Sequence, residues 1–78
     1  MKKDQHSPEV EMLRSELELL MRERQALLAV AGAAAHFVDK VNLGKLPLSA
    51  IDPAAAIAKC INRLSEATLK EALEASSK

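Results

Sequence analysis

A hydrophobic heptad repeat runs through the first half of the chain. With Val10 at position a, the residues at position a are Val10, Leu17, Arg24, Ala31 and Val38. The residues at position d are Leu13, Leu20, Leu27, Ala34 and Val41, so nine of these ten positions are apolar. Apolar residues at this spacing, sustained over several heptads, predict one long helix that packs against other helices.

The apolar stripe is wider than a two-stranded coiled coil requires, because position e adds Met21, Leu28 and Ala35. We therefore expect more than one helix to pack on it. The middle of the segment is made of small residues, which allow helix backbones to approach closely. We expect them to meet the alanine-rich residues 54–58, with Leu28 and Phe37 at the edges of the contact. The residues predicted to pack closely are Ala31, Ala34, Ala35, Phe37 and Val38.

Local signals predict where the first helix begins and ends. Ser7 is suited to cap a helix, and Pro8 is suited to its first position. Asn42 and Gly44 can adopt the left-handed conformation that ends a helix. These signals predict a disordered tail over residues 1–6 and a helix over residues 8–43.

A loop and two short helices are predicted to follow. Residues 44–52 contain turn residues, and their apolar side chains should lie on the core. Asp52 is suited to cap a helix and Pro53 to begin it, which predicts a helix over 53–64. Ser65 is suited to cap a third helix over 66–75. The alternative is one bent helix over 53–75. The sequence thus predicts a single helical domain over residues 7–78.

The predicted fold class is all-α, with a long N-terminal amphipathic or coiled-coil helix and one or two short helices folded back on its C-terminal half. The short helices together are shorter than the long one, so they leave its leucines uncovered. An uncovered apolar stripe is typical of an interaction site, which predicts a helical-bundle dimer. The predicted self-association or partner interface is Val10, Leu13, Leu17, Leu20, Met21, Arg24, Leu27 and Leu28.

Residues suited to catalysis are few, and we expect no enzyme. His36 falls at heptad position f, where a surface or packing histidine is the simplest interpretation. Cys60 lies beside Ile61 on a helix face and is interpreted as a small buried hydrophobe. The glutamates of the long helix are interpreted as a solvated face. No catalytic, cofactor-binding or metal-binding residue is predicted, since no nucleophile, base and charge-stabilising group occur together.

Charge and cysteine content narrow the function classes. The formal net charge is zero, so neither nucleic acid nor a membrane is an expected partner. A lone cysteine and the lack of a long apolar run favour the cytoplasm. We predict a small interaction protein (an adaptor, antiactivator or chaperone-like subunit) that forms a homodimer or binds a helix of an unidentified protein. The alternative is the dimerising component of a transcriptional or nucleoid regulator.

Overall fold

The computed structural model describes residues 7–77, and every regular element among them is helical. Helix α1 spans Pro8–Lys40, α2 spans Leu48–Asn62 and α3 spans Glu66–Ser76, with a short 3₁₀ helix at Leu43–Lys45. The all-α prediction is therefore confirmed. The tail predicted over residues 1–6 lies outside the described residues.

Two helices begin where the capping residues predict. The Ser7 side chain accepts a hydrogen bond from the Val10 amide at 3.1 Å. The Ser65 side chain accepts one from the Thr68 amide, also at 3.1 Å. Each bond satisfies an amide in the first turn that has no partner within the helix. The cap at Ser65 separates α3 from α2, so residues 53–75 do not form one bent helix.

The end of α1 differs from the prediction. The helix ends at Lys40 instead of residue 43, and Val41 is extended, with φ −71° and ψ 142°. The left-handed closure predicted for Asn42 and Gly44 is wrong, since no residue within 7–77 has a positive φ. Instead, the Asn42 side chain accepts a hydrogen bond from the Gly44 amide at 3.0 Å. This local bond offers the backbone an alternative to a further helical turn.

Helix α2 begins earlier than predicted, so much of the segment predicted as a loop over 44–52 is helical. Pro53 lies inside the helix rather than at its start. Its ring nitrogen lacks a hydrogen, so the helix loses one internal hydrogen bond there, and the ring crowds the carbonyl of Ser49. Leu48 was predicted to lie on the core, but it is 88% exposed.

The two shorter helices fold back on the C-terminal half of α1, as predicted, and α3 is the more extensive partner. Helix α2 returns along α1 toward Leu20, which lies near Leu64. Helix α3 then runs in the same direction as α1, since Glu71 pairs with Arg24 and Ser76 lies beside Gly32. Among the described residues, only Leu28, Gly32, Ala54 and Ala72 are buried. The core is therefore small and lies beside the C-terminal half of α1.

The closest approach between helices joins α1 to α3 at Gly32. A Cβ atom placed on Gly32 would overlap the carbonyl oxygen of Ala72 and lie 2.6 Å from the Ser76 hydroxyl. The closest approach of α1 is thus to α3, whereas the small residues of α1 were expected to meet residues 54–58 of α2. The physical reason is that a glycine admits a neighbouring backbone that even alanine would exclude.

Candidate interaction surface

Four leucines along one side of α1, between residues 13 and 27, form an exposed apolar face. Their exposed fractions range from 57% to 68%. We call this set the leucine face, and its members are Leu13, Leu17, Leu20 and Leu27. The 33 residues of α1 span about 50 Å, whereas the 11 residues of α3 span only about 17 Å. Every residue from 11 to 27 is exposed. The shorter helices reach this part of α1 only at its C-terminal end, where Thr68 lies near Leu20 and Glu71 pairs with Arg24.

The remaining residues predicted for the interface are placed differently from one another. Met21 and Arg24 are exposed, and Val10 is half-buried. Leu28 is only 8% exposed, and it lies beside Glu71 and other residues of α3. Leu28 is therefore not accessible to a partner, which corrects its assignment to the interface.

Arg24 contacts α3 within the same chain. Its Nη2 atom lies 2.6 Å from Oε1 of Glu71, and it donates a hydrogen bond to that oxygen. About half or more of each side chain is exposed. The ion pair gives a reason for a cation at heptad position a that does not require a second copy.

A double-mutant cycle should show that this ion pair contributes little to stability. Arg24→Met and Glu71→Gln remove one charge each; methionine keeps most of the apolar stem of arginine, and glutamine keeps the length of glutamate. Because the pair is solvent-exposed, we expect a coupling free energy of about 0.2–1 kcal/mol. Urea unfolding of the parent, both single variants and the double variant measures it. A coupling above about 2 kcal/mol would contradict an exposed pair.

An open apolar groove separates α1 from α2 and has a volume of about 340 Å³. From α1 it is lined by Leu27, Val30, Ala31 and Ala34. From α2 and the turn after it, the lining residues are Ala56, Ile57, Cys60, Ile61 and Leu64. We call this feature the apolar groove. Since Leu27 belongs to both, the apolar groove is continuous with the leucine face.

The residues predicted to pack closely only partly do so. Ala31, Ala34, Ala35 and Val38 are half-buried, and Phe37 remains 38% exposed. Ala31 and Ala34 line the apolar groove, where their short side chains leave space between the helices. Within the single chain, these two alanines border open space between α1 and α2. Alanines on both sides of the groove were the sequence signal for this space.

The two residues considered for chemistry are both exposed. Cys60 has a free thiol and lines the apolar groove, which corrects its interpretation as a buried hydrophobe. His36 is exposed beside Leu73 and Ser76 in a shallow recess. Within residues 7–77, no cluster of three histidine, cysteine or carboxylate side chains is arranged to hold a metal ion.

Comparisons with family models, characterised proteins and solved structures found no match to this chain. In the part of the chain that the structure describes, none of the helices combines the length and apolar character needed to cross a bilayer. The leucine face and the apolar groove are therefore the features from which a function can be argued.

Proposed function

We propose that this chain is a small helical interaction protein that self-associates through the leucine face of α1. The observation that carries the proposal is the exposure of Leu13, Leu17, Leu20 and Leu27 along one side of a helix. A soluble monomer rarely exposes a contiguous apolar surface of this kind, and such surfaces mark interaction sites. Burying each leucine would contribute about 1.5–3 kcal/mol.

The small core of the single chain supports the proposal. Leu28 is the only large side chain that is buried among residues 7–77. Chains below about 80 residues seldom obtain enough stability from one hydrophobic core, and association is a common remedy. A second copy on the leucine face would enlarge the core at the end of α1 that α2 and α3 leave uncovered.

The proposed role is that of an adaptor, antiactivator or chaperone-like subunit, with no catalysis. A helix of another protein would use the same leucine face, because amphipathic helices bind apolar surfaces by the same spacing of anchors. We place the protein in the cytoplasm, since a free and exposed cysteine thiol is compatible with a reducing compartment.

The mass of the protein in solution tests self-association. Light scattering after size exclusion should give twice the chain mass of 8.4 kDa at micromolar concentration. Dilution should lower the measured mass toward that of one chain, because association depends on concentration. A mass of one chain throughout the micromolar range would refute self-association and leave a helix of another protein as the partner.

A further inference from the structure

We propose that the second copy binds antiparallel to the first, so that the N-terminal part of its α1 enters the apolar groove. The proposal rests on self-association and adds its geometry. In this alignment, Leu13 of one copy lies level with residues 27–31 of the other. By symmetry both grooves of the dimer are filled in the same way, and the two leucine faces overlap around Leu20.

The shape of the groove favours this occupant. The groove is open because Ala31, Ala34 and Ala56 are too short to fill the space between α1 and α2. The N-terminal part of α1 carries large side chains, Leu13 and Leu17, with no covering helix of their own. Large residues facing small ones give a well-packed contact. A parallel pair would instead place leucine opposite leucine and leave both grooves empty.

The length of free helix also favours the antiparallel alignment. The turn between α2 and α3 lies against α1, where Leu64 and Thr68 share a recess with Leu20. In a parallel pair, this turn would stand level with the same turn of the second copy, so the contact along the heptad stripe would run only from Val10 to about Leu20, or roughly 15 Å. An antiparallel contact that continues into the groove reaches Ala34 and is roughly 36 Å long.

Charge complementarity supports the same alignment. Residues 9–18 hold four glutamates and one arginine, so this end of α1 is acidic. At the other end of the contact, Lys59 and Arg63 are exposed next to the groove residues Cys60 and Leu64. The antiparallel dimer brings the acidic end of one copy to these cations, which favours association. A parallel dimer would bring two acidic ends together.

Disulfide formation with the native Cys60 tests the alignment, since this thiol is exposed in the groove. Leu13→Cys and Glu16→Cys are made separately in the full chain and oxidised with diamide at micromolar concentration. We expect at least one of them to form an intermolecular disulfide with Cys60, identified by peptide mass spectrometry. Ser15→Cys is the matched control, because its heptad position f points away from the groove. This variant should form several-fold less of the intermolecular disulfide with Cys60.

A parallel dimer predicts a different disulfide. Leu13→Cys combined with Cys60→Ala would then join the two copies through their residues 13. In the antiparallel alignment, these two residues are about 25 Å apart, and this variant should remain unlinked. A link between the two residues 13, or a dimer in which neither new thiol reaches Cys60, would overturn the proposed alignment. Light scattering on the same variants measures whether they are dimers. A variant with the mass of one chain has failed to self-associate, and only a dimer reports on the alignment.

Discussion

Replacing Gly32 with alanine should destabilise the fold by about 1–2 kcal/mol net, because the new Cβ would overlap the backbone of α3. The atoms in the way are the carbonyl oxygen and carbon of Ala72, the latter 2.7 Å from the Cβ position. Backbone cannot rotate aside as a side chain can, so α3 must move away from α1. Overpacking of this kind typically costs about 1–3 kcal/mol. The same clash weakens the packing of α3 on α1, which is the most extensive helix contact in a chain with a small core.

The sign of this effect makes the measurement informative. In a helix that touches nothing, glycine to alanine stabilises by about 1 kcal/mol. Gly44→Ala is the control, since its Cβ would lie at 3.4 Å from the Asn42 side chain, an ordinary contact distance. Urea unfolding followed by circular dichroism, at one protein concentration, compares both variants with the parent. If Gly32→Ala equals or exceeds the parent in stability, α3 does not contact α1 at this glycine.

The course of α1 could be predicted from sequence because its signals are local. Ser7 and Ser65 cap helices through hydrogen bonds within their own first turns, so no tertiary information is required. The start of α2 was harder to predict. Asp52 and Pro53 resemble the start of a helix, but the chain is already helical from Leu48. Proline favours the first turn of a helix, so the sequence points to the later start, whereas Pro53 is the sixth residue of α2.

The residues that contact each apolar side chain could not be predicted. Hydrophobic periodicity identifies the apolar face of a helix, but it does not say which other helix packs on that face. Leu27 and Leu28 are adjacent apolar residues of one stripe, yet Leu27 is 68% exposed and Leu28 is 8% exposed. The difference arises because α3 lies on the side of α1 that carries Leu28 and Gly32. Which short helix takes that side depends on the close approach at Gly32, a tertiary contact between residues far apart in sequence.

Glutamate at both Leu17 and Leu20 should convert the proposed dimer into a monomer, the largest expected change in assembly. Each copy would lose two leucines from the contact, worth about 1.5–3 kcal/mol per side chain. Four carboxylates would also be placed in the contact, where Arg24 is already paired with Glu71, and their partial desolvation adds to the cost. Light scattering should then give the mass of one chain at concentrations where the parent has twice that mass.

A matched control separates loss of the contact from a general effect of added charge. Leu43→Glu combined with Leu48→Glu also changes two exposed leucines, but these lie near the connection between α1 and α2, away from the leucine face. This control should keep twice the chain mass. Circular dichroism should show that both double variants retain their helices, since all four positions are exposed in the single chain. If Leu17→Glu with Leu20→Glu keeps the dimer mass while remaining helical, the two copies associate through another surface, and the leucine face is left for a different partner.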